Sequence, residues 1–178
     1  MTAARRLIAV AVVAAGVYAF YAVCFLPYRC NRIKIAYIRP TEDAYDRIGT
    51  PEGGLKAQRN LRVLLQCMKP FCRDVSLDMI AAANYRVLGR FDDSIRLYRD
   101  ALLLDRRPEL FANLASAEVA AGDRESARKD LLQAGLFSPW AVRSMEDGQL
   151  RQDVVRQLIA LRPENENYIR YVDTVQRP

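Results

Sequence analysis

Three kinds of side chain in this sequence could carry chemistry: cysteine, paired carboxylates and the numerous arginines. The cysteines are Cys24, Cys30, Cys67 and Cys72. Cys67 and Cys72 bracket Met68-Lys69-Pro70-Phe71, a spacing with a proline turn that could bring two Cβ atoms within bridging distance. A disulfide there would imply an oxidising compartment such as a bacterial periplasm. The alternative is two small apolar residues packed at a helix end. The spacing is not CxxC, so it supports neither a thioredoxin-like redox motif nor a zinc ribbon. The acidic pair Asp92-Asp93 falls where a helix begins, and carboxylates there serve capping before acid–base work. Gly53-Gly54 lacks the pattern of a phosphate-cradling loop.

The chain contains no histidine. That removes Ser–His and Cys–His nucleophile pairs, HExxH zinc sites and imidazole as a proton carrier near neutral pH. No polar constellation replaces them, so the expectation is a protein that is not an enzyme, with no catalytic residue, no cofactor, no metal and no small-molecule substrate. Lys and Arg number 27 against 21 Asp and Glu in 178 residues, a net charge of +6. The arginines are spread along helical stretches, as on a solvated face. Nucleic-acid binding would need a basic, aromatic-interleaved surface on a recognisable fold, and neither is evident.

The elements that must position these residues begin with an apolar run. Leu7 to Leu26 are uncharged and largely apolar, preceded by Arg5-Arg6 and followed by Pro27. As a helix they would span roughly 30 Å, the thickness of a bilayer core. Tyr18, Tyr21 and Tyr28 sit toward the far end, where aromatic rings favour the interface. A core helix would be amphipathic, whereas this run is apolar all round. A retained single-pass anchor is expected, with a cleaved signal and a buried helix as its rivals. Arg5 and Arg6 favour a cytoplasmic N-terminus, while Arg29, Arg32, Lys34 and Arg39 argue against export of the body. A disulfide would favour a periplasmic body on an inner (cytoplasmic) membrane anchor.

Further along, the sequence nearly repeats itself at an offset of 33 residues: Gly89 aligns with Gly122, Ser94 with Ala127, Tyr98 with Leu131, and Ala101 with Ala134. Each unit reads as an apolar helix, a glycine turn and a second helix. The first pair is expected at Leu77 to Leu88 and Asp92 to Leu104, the second at Pro108 to Ala121 and Arg124 to Leu136. Pro108 suits a first helical turn, and Gly89 and Gly122 suit a left-handed helix end. Asp92 and Asp123 would cap the helices that follow.

These two units resemble the tetratricopeptide-repeat (TPR) family. Both carry its small residue within the first helix (Ala82, Ala115), its turn glycine, the apolar or aromatic residue of the second helix (Tyr98, Leu131) and the small residue after it (Ala101, Ala134). The first adds Tyr85 and the Ala101–Asp105 ending, and the second ends in Pro139. Arg106 stands where the first unit should have proline, and Ser94 replaces a usual alanine. The expected organisation is all-α: an anchor over residues 1–28, a linker over 29–54, and a TPR-like helical-hairpin solenoid over 55–178. Its repeats would occupy 75–107 and 108–139, with capping helices at 140–175 and a degenerate half-repeat ahead of them at Leu55 to Met68, closed by Pro70.

The resemblance implies a binding groove lined by the first helix of each pair. By alignment its residues are Met79, Ala83, Arg86, Val87, Ala112, Ser116 and Val119, although the chain's own flanking helices could cover some of them. The expected partner is another protein, through an apolar or helical segment. That makes the chain a membrane-anchored scaffold, in a setting such as cytochrome c maturation, secretion or pilus machinery, or surface-polysaccharide assembly. The alternative is an accessory subunit of a membrane enzyme complex held through Leu7 to Leu26.

Overall fold

The computed structural model describes Ala3–Met68, Cys72 and Asp74–Thr174, with side chains from Ile8 to Gln66, of Cys72 and from Asp74 to Thr174. Within these residues the chain is helical, with no strand. Helix α1 (Ala3–Phe20) passes through a π-helical turn at Tyr21–Phe25 into α2 (Leu26–Tyr45) without a break. Then come α3 (Pro51–Met68), α4 (Val75–Val87), α5 (Phe91–Leu104), α6 (Pro108–Ala121) and α7 (Arg124–Phe137). A short α8 (Pro139–Val142), α9 (Gly148–Leu161) and α10 (Glu166–Thr174) complete the described residues. The N-terminal helix is long and apolar enough to cross a membrane. Its apolar window has a mean hydropathy of 2.3 and buries none of its residues in the body.

The segment expected as a linker is instead mostly helix. Residues 29–45 belong to α2, and α3 begins at Pro51. Pro40 lies inside α2, where its missing N–H and ring cost about 3 kcal/mol. Side-chain packing and hydrogen bonds offset that cost. Leu26, Cys30, Ile33 and Tyr37 pack on the core formed by Leu61, Leu64, Leu77 and Tyr85. In the first turn of α3, Gly53 is obligatory: a Cβ there would lie 2.2 Å from the carbonyl oxygen of Arg47.

Three antiparallel hairpins, α2–α3, α4–α5 and α6–α7, stack in chain order, each helix packing on the next. The aligned small residues sit at the crossings. Ala82, Ser94, Ala101, Ala115, Ala127 and Ala134 are all fully buried. Ser94, in place of alanine, donates its hydroxyl to the Ala82 carbonyl at 2.9 Å, so its polarity is satisfied where it is buried. Gly135 lets α7 approach α9, since a Cβ there would lie 2.5 Å from Leu158.

Helix ends follow local chemistry. Asp123 accepts from the Ser126 N–H to cap α7, and Gly122 closes α6 with φ 88°. Asp92 does not cap α5. The position before that helix is Arg90, and Asp92 and Asp93 lie in the first turn, where Asp93 binds Arg90 and Arg96. Asp74 caps α4 through the Ser76 N–H. Partial burial works against its charge, but that N–H and Lys34 hold its pKa below the usual value.

Two expectations fall outside the described residues: Pro70 as the stop of α3, and residue 175 as the end of the last helix. The disulfide expectation needs correction. Cys72 is bonded to Cys30, with Cα atoms 5.6 Å apart, not to Cys67. The cause is the unforeseen α2, which runs beside α4 and delivers Cys30 to its start.

Candidate functional groove

Helices α2 and α4 lie side by side and run in the same direction. Four pairs tie them in order: Cys30–Cys72, Lys34–Asp74 at 3.5 Å, Thr41–Asn84 at 2.8 Å, and Arg86 stacked 5.1 Å over the Tyr45 ring. Asn60 of α3 joins them, donating to the Pro40 carbonyl and to Asn84 Oδ1 at 3.1 Å each. Thr41, Asn60 and Asn84 are buried and satisfy one another, so this polar knot sets the register of three helices at once. Because α2 continues α1, the register also sets the body against the apolar N-terminal helix.

The first helices of successive hairpins, α4 and α6, lie parallel, and α8 follows them. Between them opens a cavity of ≈ 420 Å³ lined by Met79 of α4, by Glu109, Ala112 and Asn113 of α6, and by Trp140 and Ser144 in and after α8. Trp140 is 43% exposed, with the Arg143 guanidinium 5.5 Å over its ring. An apolar floor, one large aromatic wall and amide and hydroxyl groups at the rim suit an apolar side chain carried on a polar backbone.

The residues aligned to the groove separate into two groups. Met79 and Ala112 meet in this cavity, and Ala83 and Ser116 are half-buried. Arg86 is turned away from a free surface. Its side chain is 15% exposed, lies over Tyr45 and reaches Glu146 at 3.9 Å, with Nε buried and unpaired among the described residues. It therefore links α2 to the segment before α9. Val87 is buried beside Ala44 and Ala57, and Val119 packs on the core around Val142 and Met145. The chain's own α2 and its C-terminal segment thus occupy one end of the aligned surface. Trp140, Asn113 and Ser144 were not anticipated. The Pro139-Trp140 start of the helix after the second repeat was the available signal.

Other ionisable clusters are structural in their contacts. Glu118 is fully buried, and its carboxylate accepts from Arg99 at 2.9 Å. Burial and the nearby Asp130 raise its pKa to about 7. Burial also raises Asp130. Between α2 and α3 a second cavity of ≈ 570 Å³ is lined by Tyr37, Arg39, Pro40, Asp43, Lys56 and Arg59. Asp43 is engaged there by Lys56 at 2.5 Å and by Arg47 at 3.2 Å. Among the described residues no group of three His, Cys, Asp or Glu side chains is placed to hold a metal ion. Comparison of the chain with protein-family models, curated proteins and solved structures finds no match.

Proposed function

We propose that this chain is a membrane-anchored interaction scaffold of the TPR type, in which α1 crosses the bilayer and the helical hairpins hold an apolar segment of a partner protein. The observation that carries the reading is the cavity in which Met79, Ala112 and Trp140 converge from three consecutive first helices. Binding grooves of stacked helical hairpins form from such convergence, because each first helix contributes one wall. The body acts by holding its partner and not by catalysis. It faces an oxidising compartment, as a periplasmic body on an inner-membrane anchor would, and the Cys30–Cys72 disulfide supports that side. The setting is an envelope assembly of the kind named above.

The groove is tested by a crosslinking pull-down from native membranes, comparing the wild type with a Met79→Gln, Trp140→Ser double variant. Both side chains line the cavity, and neither is fully buried, so the fold should survive; a circular-dichroism melt checks that it does. Loss of a protein captured by the wild type identifies the partner and places it in the groove. Equal capture by both chains excludes the groove and leaves the membrane helix as the binding element.

A further inference from the structure

Consecutive helices alternate in direction, so the ends of α5 and α7 and the starts of α4, α6 and α8 share one edge of the stack. Arg124, at the start of α7, binds Asp147, at the start of α9, at 3.0 Å. These two helices therefore run parallel, and the end of α9 lies on the same edge. Helix α2 enters the body from this edge too, since Cys30 and Lys34 stand beside Cys72 and Asp74, at the start of α4. The edge thus faces the bilayer that α1 would cross. From Leu26, the end of the apolar run, to Lys34 the helix climbs about 12 Å. The headgroup layer takes up about 6 Å of that, leaving a gap of about one side chain.

The edge is built unlike a solvated one. Leu103 is 85% exposed, Leu104 57%, Phe137 55% and Leu161 59%, each in the last turn of its helix. Arginines stand among them. The exposed Arg106 lies 5.8 Å over the Phe111 ring, which stacks on Phe137 at 5.9 Å. Arg162 follows Leu161, and Arg107 is tied to Asp105 at 2.5 Å. Large apolar tips interleaved with guanidinium groups suit the boundary between acyl chains and anionic phosphates, where both find partners.

We propose that this edge is a second membrane contact: Leu103, Leu104, Phe137 and Leu161 seat in the headgroup region of the bilayer that α1 crosses, and Arg106 and Arg162 bind its anionic lipid phosphates. The contact goes beyond the scaffold reading and rests only on the part of it that places α1 across the membrane. It holds the hairpin stack along the surface, so that the groove opens sideways toward a partner segment lying close to the bilayer.

Trp140 is the only tryptophan and sits on the first turn of α8, at this edge. The full chain is reconstituted into phosphatidylcholine–phosphatidylglycerol liposomes carrying a headgroup nitroxide lipid, and quenching of Trp140 is read. The expected result is strong quenching in the wild type. An Arg106→Gln, Arg162→Gln variant should lose most of it, as should a Leu103→Ser, Leu104→Ser variant, while both still float with the liposomes. Unquenched wild type, or variants quenched as strongly as wild type, would overturn the docking. A wild type that does not float overturns the membrane crossing, and the docking with it, but leaves the groove to its own pull-down test. The arginine pair is exposed, so that variant keeps the test open even if the leucine variant folds poorly.

Discussion

At the scale of single residues, burial decides which polar groups are structural and which are free to bind. Glu118 is a carboxylate with no exposed surface, paired by one oxygen to Arg99 and set close to the Asp130 carboxyl. Its folded-state pKa is raised from 4.5 to about 7, first by burial and then by Asp130. The protonated form is therefore the one the fold favours. Stability from this group is fully present below the unfolded pKa and is lost as pH rises through about 7. Wild type should lose on the order of 1–3 kcal/mol between pH 5 and pH 8 relative to Glu118→Gln, whose amide does not titrate. Urea unfolding of both chains across that range checks it. A constant difference between them would show that Glu118 does not titrate there. Arg86 shows the same logic from the opposite charge. Alignment alone placed it in the groove, but its contacts with Tyr45 and Glu146 consume it.

At the scale of elements, the sequence was clearest where local signals agreed. Helices α4 to α7 begin and end within about two residues of expectation, because apolar spacing, a turn glycine and Pro108 all pointed the same way. Helix α2 was read as a linker because Pro40, Pro51 and Gly53-Gly54 outweighed a weaker signal. That signal was present: Leu26, Cys30, Ile33, Tyr37, Thr41 and Ala44 recur at three- and four-residue steps, a stripe that packs on α3 and α4. Missing α2 also misassigned the disulfide, since Cys30 has no reason to meet Cys72 unless a helix carries it there. The bridge closes a separation of 42 residues. Loop-closure entropy assigns such a cross-link about 4 kcal/mol. A Cys30→Ser, Cys72→Ser chain should therefore lose stability on that scale against the oxidised wild type, read by urea unfolding without reductant. An unchanged midpoint would mean that the bridge constrains nothing in the unfolded chain.

At the scale of the whole molecule, one continuous helix joins the apolar segment to the first hairpin, so apolar helix and body are a single lever with no break between them. The polar knot of Thr41, Asn60 and Asn84 and the Cys30–Cys72 bridge fix that lever to the stack. What the sequence could not show was how much of the aligned surface the chain covers itself. Alignment names the first-helix faces, but only the packed chain reveals that α2 and the segment before α9 close one end of the surface and that Trp140 walls the other. The remaining opening, between α4, α6 and α8, is the surface proposed to hold the partner. The most direct measurement is site-specific photocrosslinking in native membranes, with the photoreactive residue placed in turn at Ser144, on the cavity rim, and at Val13, in α1. A discrete protein adduct from Ser144 that excess Met79→Gln, Trp140→Ser chain cannot compete away is the predicted result. An adduct formed only from Val13 would contradict the claim and make the membrane helix the binding element.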